Sequence, residues 1–368
     1  MQKKELKQNS FLNGAFVATM GIVITKVLGM LYVIPFYAII GEQGGALYGY
    51  AYTIYLLFQS LSCAGIPNAI SKIISEYQTL GYSKAKEKAF KIGRRLAIFM
   101  GIFVFIILFL FAPIIAKAII GDLTGGNTLS DVTYVIRVIA TAILVVPILS
   151  IYRGYLEGHK FITPTAISQV VEQVARIVVI IAGSYAALNV FHLSLTTAVG
   201  VATFGATAGA LVGYLYLLDK VFKHKKEINN ITDVKEEPVI STKEILGKIF
   251  FYALPFIMID VFKSAYNFVD MTTLVKTLVH SAGYTTVAAE NSMSVISTWG
   301  NKLNMIIVSI STGIIISLIP NLTASSVKGD KKDVHYKINQ TLQILLFLSV
   351  PMAIGLSFLS KPVWDVFY

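Results

Sequence analysis

Charge is scarce in this chain. Asp, Glu, Lys and Arg make up 14% of its 368 residues, where a soluble domain carries about 25%, so a soluble globular protein is excluded. Acids are the scarcer sign, with 20 Asp and Glu against 31 Lys and Arg, a net charge of +11. A single cysteine, Cys63, rules out an intrachain disulfide, and five scattered histidines lack metal-ligand spacing. P-loop, G-x-G-x-x-G, H-E-x-x-H and G-x-S-x-G patterns are all missing. Neither nucleotide-driven transport nor catalysis therefore has a residue to rest on, and the chain is expected to be no enzyme and to need no metal or cofactor.

Apolar length is what the chain has in quantity. Hydrophobic residues reach 55% and mean hydropathy is +0.70, far too apolar for a disordered polymer. The bases sit in short clusters between apolar runs, not on the polar basic face of a nucleic-acid binder. Runs of about 20 apolar residues, the length that crosses a bilayer, occur at 12-40, 46-75, 92-120, 132-156, 163-189, 194-222, 247-275, 292-322 and 338-360. They show no period-two alternation, which excludes an outer-membrane barrel. The expected fold class is all-α, a polytopic membrane helical bundle.

Charge in the connections gives an independent test of that reading. Lys3, Lys4 and Lys7 precede the first span, and the even-numbered connections hold the other clusters: Lys84 to Arg95, Arg153 with Lys160, Lys220 to Lys243, and Lys328 to Lys337. The odd-numbered ones are nearly bare of bases. This alternation places the N terminus in the cytoplasm. The first run, from Phe11 to Ile40, is too long for a signal-peptide core and holds Lys26, so it reads as a retained helix.

Organisation follows from the longest polar stretch, 223-246, which divides a six-helix lobe at 1-222 from three helices at 247-368. Ser241 with Glu244 would cap the helix after it. Ile66-Pro67-Asn68 followed by Gly81 is matched by Ile319-Pro320-Asn321 followed by Gly329, an offset of roughly 250 residues that reads as a duplicated transporter architecture. On that reading the second lobe is truncated, and three further helices would complete it.

Ionisable residues inside spans cost about 2.5–3.5 kcal/mol each and face water or a partner. The bases at such depth are Lys26, Arg176, Lys263 and Lys302, and the acids are Glu172, Asp260 and Asp270. Glu172 with Arg176 (i,i+4) and Asp260 with Lys263 (i,i+3) have the spacing of helix ion pairs, while Lys26 and Lys302 have no local partner. Lys72 lies nearer a span end, where snorkelling to the interface is the simpler reading. If the four deep bases line one vestibule, its field selects an anion, with phosphate or pyrophosphate the natural candidate. Tyr48, Tyr50, Tyr52 and Tyr55 read as an interfacial aromatic belt. Asp122 and Asp131 are the acids a membrane glycosyltransferase would place in an outer loop, and they are weak candidates.

Lys26-Val27-Leu28-Gly29 to Ile34-Pro35, Gly41 to Tyr52, and Ala64-Gly65-Ile66-Pro67 to Ser71-Lys72 form one set of recognisable residues. Arg153-Gly154, Gly158, Pro164-Thr165-Ala166, Ser168-Gln169, Glu172-Gln173 and Arg176 form a second. Together they resemble the polysaccharide biosynthesis and stage V sporulation protein B group, which is related to lipid II flippases. That group lies within the multidrug, oligosaccharidyl-lipid and polysaccharide exporter superfamily. One departure is Val33, where the first helix of that family commonly carries a base.

The resemblance implies a two-lobed exporter in a bacterial-type cytoplasmic membrane, moving an undecaprenyl-pyrophosphate-linked saccharide outward by alternating access. Lys26, Arg176, Lys263 and Lys302 would attract the pyrophosphate. Pro67 and Pro320 would form prolyl turns on the cavity's cytoplasmic side, and Glu172, Asp260 and Asp270 would serve structure or gating. Implied partners are the lipid-linked saccharide, the bilayer and proteins of cell-wall synthesis, with no nucleic acid. A drug or cation antiporter on the same scaffold and a non-transporting membrane scaffold for cell-wall synthesis are the rival readings.

Overall fold

The computed structural model describes residues 8–63, 65–120, 127–228, 237–284 and 301–362, and every regular element among them is a helix. In chain order these are α1 (Phe11–Leu31), α2 (Val33–Cys63), α3 (Ile66–Leu80), α4 (Ser83–Ile120), α5 (Leu129–Ala140), α6 (Ala142–Gly158), α7 (Ile162–Val178), α8 (Leu195–Lys223), the single turn α9 (Lys225–Ile228), α10 (Thr242–Ala282), α11 (Asn301–Val327) and α12 (Lys331–Phe358). The spans expected near 132-156 and 163-189 are each compound. A kink at Thr141 joins α5 to α6, and α7 continues into the π-helical turns Val179–Gly183 and Ala186–Val190.

Among the described residues eight helical segments are long and apolar enough to cross a membrane, and they fall on eight of the nine expected runs. The run at 46-75 differs, because the helix there is interrupted between α2 and α3. Gly65 holds φ +69 directly before Ile66, with Pro67 in the first turn of α3. That left-handed conformation suits glycine, and a Cβ there would also lie 2.5 Å from the Ala253 carbonyl oxygen of α10. The first span ends as expected near residue 40, at a non-helical Gly41 inside α2.

Pro320 corrects an expectation. The helix Asn301–Val327 runs through it without a turn, so Pro67 and Pro320 are not equivalent breaks. The difference lies upstream, where Pro67 follows a left-handed Gly65 while Pro320 follows Leu318 and Ile319 in a continuous helix. The glycines of the same repeat do match. Gly81 N–H donates to Gln78 O and Tyr82 N–H to Tyr77 O, while Gly329 N–H donates to Ser326 O and Asp330 N–H to Ser325 O. Both helix ends thus carry the same pair of bonds, one from the glycine and one from the residue after it.

The main core lies chiefly within the helices before residue 223 and extends to Ile245 and Ile249 at the start of α10. Ile70, Ile73 and Ile74 of α3, Leu108 of α4, Ile136 and Ile139 of α5, and Leu149 and Ile151 of α6 are almost wholly buried there. A smaller cluster joins Ala15 of α1 to Ile310 and Ile314 of α11. The expected cap at Ser241 is present, its Oγ accepting from Glu244 N–H at 3.1 Å.

Candidate ligand cleft between the helix groups

The first helix touches both groups of helices. On one side it packs on α7, where a Cβ at Gly21 would meet Ala166 Cβ at 2.9 Å. On the other it packs on α11, where Gly313 approaches Thr19 closely enough that a Cβ would come within 2.5 Å of its Cα. Ser317 Oγ donates to Phe11 O at 2.7 Å.

Further bonds tie the groups together at the end that holds the start of α1. Ser75 Oγ donates to Pro320 O at 2.7 Å, within buried surroundings. Lys248 Nζ lies 2.8 Å from Glu76 Oε1, and Lys88 Nζ donates to Ile240 O at 2.6 Å. The Glu237 carboxylate accepts from the N–H groups of Lys84 and Ala85, both at 2.8 Å, at the start of α4. Lys72, which reads in sequence as a snorkelling residue, instead places its Nζ 3.7 Å from the centroid of the Tyr252 ring, a cation–π contact between the groups.

Past this seal stand the predicted bases. Lys26 is half-buried and has no acid partner among the described residues, while Lys263 and Arg176 both lie close enough to act on it electrostatically. Three of the four predicted bases are therefore brought together. The side chains of the fourth, Lys302, and of Asp270 lie outside the described residues. Asp260 is half-buried and within Coulombic reach of Lys263, but the two form no ion pair among the described residues.

Arg176 is not free in the way Lys26 is. Its Nη2 lies 2.6 Å from Glu172 Oε1, as the i,i+4 spacing predicts, and Arg153 Nη2 lies 2.8 Å from Oε2 of the same carboxylate. Arg153 Nε also donates to Ser168 Oγ at 3.0 Å. Sequence reasoning assigned Arg153 to a basic connection and missed it as a partner of Glu172. Spacing did not single it out, because Glu157 stands four positions from Arg153 on its own helix and offers it a nearer acid.

The tyrosines correct a second expectation. They do not form an interfacial belt, because Tyr55 is 1% exposed and faces the interior with Arg176 and Glu172 in Coulombic reach. Tyr48 stacks on Tyr52 at 5.7 Å between centroids, and the Tyr32 and Tyr48 hydroxyls lie 3.3 Å apart. These tyrosines follow the non-helical Gly41 and pack on the main core. Asp131 is likewise structural, accepting from Thr128 N–H and from Thr196 Oγ1, and Asp122 lies outside the described residues.

Chemically, Lys26 is a cation without an acid partner among the described residues, while Lys263 has Asp260 within reach. Lys26 and Lys263 would attract an anion, with Arg176, paired to Glu172, within electrostatic reach behind them. At half-buried Lys26 less water screens the charge than at a surface, whereas Lys263 is exposed.

Comparison with known proteins agrees with this architecture. The profile described as "Polysaccharide biosynthesis protein" matches residues 11–326. The lipid II flippase MurJ of Bacillus subtilis (strain 168) is 37% identical over 362 residues, covering 98% of this chain and 66% of that one. Stage V sporulation protein B of the same organism is 25% identical over 342 residues, 93% of this chain and 63% of that one. The chain thus spans about two thirds of the length of the curated relatives it matches. Among solved structures, an outward-facing multidrug resistance MATE family transporter of the MOP superfamily superposes with a TM-score of 0.75 at 13% identity, over 99% of this chain and 77% of that one. The fold is that of these transporters, and the chain is a multi-pass membrane protein.

Proposed function

Because the chain belongs to the polysaccharide biosynthesis protein family, we propose that it serves a flippase for an undecaprenyl-pyrophosphate-linked cell-wall or polysaccharide precursor. The observation that supports this reading is that Lys263 and Arg176 lie within electrostatic reach of half-buried Lys26, which has no acid partner among the described residues. An anionic headgroup linker is what such a field selects. The identity to a lipid II flippase supports the choice of a lipid-linked saccharide over a soluble anion.

In this proposal residues 1-222 form one lobe, 223-246 a cytoplasmic linker, and 247-368 the beginning of the other. The N terminus lies in the cytoplasm, so the bonded end is the cytoplasmic one and the cleft opens outward. Lys26 and Lys263, with Lys302, contact the pyrophosphate directly, and Arg176 raises the field behind them. Asp260 and Asp270 tune that field or gate it. Pro67 and Pro320 lie on the cytoplasmic side of the cleft, Pro320 as a seal residue through its carbonyl and not as a turn. The lipid tail stays in the bilayer, and the enzymes of cell-wall synthesis supply and consume the substrate.

The test uses vesicles holding the chain, alone or joined to the remaining third of the Bacillus subtilis relative, and follows a labelled polyprenyl-pyrophosphate saccharide across the bilayer. Lys26→Ala should abolish movement in whichever form transports, while Lys328→Ala at the surface should leave it unchanged. Equal tolerance of both substitutions would remove the cleft assignment. Failure of both forms beside a working relative would remove the substrate.

A further inference from the structure

Pro113 stands inside α4. Lacking an N–H, it cannot donate to the carbonyl four residues earlier, that of Phe109. Arg137 of α5 donates there instead, its Nε 3.3 Å from Phe109 O, and its guanidinium carbon lies 5.0 Å from the centroid of the Phe109 ring. A snorkelling arginine keeps its head free in water, whereas these two contacts pin Arg137 against α4. Its terminal amino groups have no partner among the described residues. Asp131, the acid of the same helix, is spent on the Thr128 N–H and the hydroxyls of Thr128 and Thr196.

The pinned side chain lines a cavity of about 330 Å³ together with Leu129, Ser130, Thr133 and Tyr134, a volume within the range of small-ligand sites. The lining divides by hydrogen-bond role. The Tyr134 hydroxyl is free to donate, like Arg137, and its ring is held by α8, where a Cβ at Gly200 would meet Tyr134 Cε1 at 2.5 Å. Thr133 Oγ1 donates to Leu129 O at 2.7 Å, and Ser130 Oγ pairs at 2.7 Å with Thr128 Oγ1, whose own proton goes to Asp131. With their protons used, Ser130 and Thr133 offer lone pairs. An anion that also carries hydroxyl groups answers the whole wall.

The surroundings are those of a lipid. Leu129 and Tyr134 are exposed beside the cavity, and Ile106, Phe109, Leu110 and Ile114 are exposed in one row of α4. Arg137 stands about 12 Å along α5 from Leu129. That helix starts at the end away from the bonded one, since α4 begins at the Glu237 contact and runs to the opposite end.

We propose that this cavity binds the headgroup of an anionic phosphodiester lipid bearing free hydroxyls, in the leaflet away from the bonded end. Arg137 and Tyr134 donate to the phosphate, Ser130 and Thr133 accept from the headgroup hydroxyls, and the hydrocarbon chains lie along α4. The inference does not rest on the flippase reading, because it concerns the outer face of one helix group and is read by binding, not by transport.

The purified full chain in detergent is titrated with phosphatidylglycerol, with phosphatidylcholine of the same chains, or with soluble glycerol phosphate, and bound lipid is counted by mass spectrometry of the intact complex. One phosphatidylglycerol should be held in preference to phosphatidylcholine. Its apparent affinity should fall about tenfold in Tyr134→Phe, the loss of one hydrogen bond to an anion, and binding should be lost in Arg137→Gln. Arg94→Gln, an exposed base near the other end of α4, should leave it unchanged. Tyr134→Phe keeps the ring against Gly200, so the comparison survives even if Arg137→Gln fails to fold. Equal retention of the two lipids, or unchanged affinity in Tyr134→Phe, would overturn the proposal. Competition by glycerol phosphate at matched concentration would overturn it too, assigning the cavity to a soluble anion, and loss in Arg94→Gln would move the lipid to the basic start of α4.

Discussion

At the residue scale, the polar groups among the helices before residue 223 are held by shortage. Glu172 serves two arginines, and the buried Lys86 ammonium has one side-chain acceptor, Gln78 Oε1 at 2.8 Å. His159 shows what such shortage does to titration. Its Nδ1 donates to Tyr155 O at 2.8 Å, its Nε2 is buried without a partner, and burial together with the nearby Lys86 charge pushes its pKa down to about 3. The imidazole is therefore neutral in the folded protein at every ordinary pH. The unfolded chain protonates it below about 6.5, so stability is complete above that pH and falls by about 1.4 kcal/mol per unit as the pH drops toward 3. Replacing the imidazole by a neutral amide, His159→Gln, should flatten the acid limb of a plot of unfolding temperature against pH. An unchanged slope would show that His159 is not the group responsible.

Much of this level was legible from spacing alone. Glu172 and Arg176 meet as an i,i+4 pair because helix geometry requires it, and Lys26 was separable because nothing nearby in sequence could neutralise it. Arg153 was not legible, because it reaches Glu172 across 19 positions and two helices. The tyrosines were misread for a related reason. Aromatic residues near a span end are equally compatible with a lipid interface and an inner wall, and only the path of the helix after Gly41 decides.

At the scale of elements, hydropathy located the helices well, since eight apolar runs became eight long apolar segments. It failed where backbone conformation and not side-chain polarity interrupts a helix, as between α2 and α3. Pro67 and Pro320 sit in the same tripeptide, yet only the first starts a helix. The decisive residue was Gly65, where the turn and the close approach of α10 coincide. Gly65→Ala combines left-handed strain with a clash on the Ala253 carbonyl. A loss of stability above about 1 kcal/mol is expected in chemical or thermal unfolding. Pro67→Ala, at a first-turn position where a missing N–H costs nothing, should change stability far less.

For the whole molecule, the contacts between the helix groups gather at one end. Glu76 with Lys248, Lys72 over Tyr252, and Lys248 beside the Tyr77 ring at 5.0 Å form a compact set between α3 and α10. A machine that opens at that end must part them. Reversing one charge, Glu76→Lys, sets two cations against each other, and the swapped pair Glu76→Lys with Lys248→Glu restores attraction. Labelling of a cysteine at buried Ser317 by a membrane-impermeant maleimide, with Cys63 replaced by Ala, reports the opening. The single change should raise labelling about 5- to 30-fold, the effect of one or two kcal/mol, and the swap should return it to the parent level. Equal labelling in all three would show that this pair does not hold the end shut.

The position of the first helix also sets an order of assembly. Phe11 accepts its bond from Ser317 across 306 positions, while the same helix meets α7 about midway through synthesis. At the usual 5–20 residues per second the surface that receives α11 waits about 15–60 s for its occupant. During that interval Gly14, Ala15 and Thr19 face lipid or other protein with their final neighbour not yet made. The nascent first group of helices is therefore the stage at which chaperones and membrane-bound proteases would meet an unfilled groove, and substitutions lining it should reduce the yield of folded protein before they alter anything the finished molecule does.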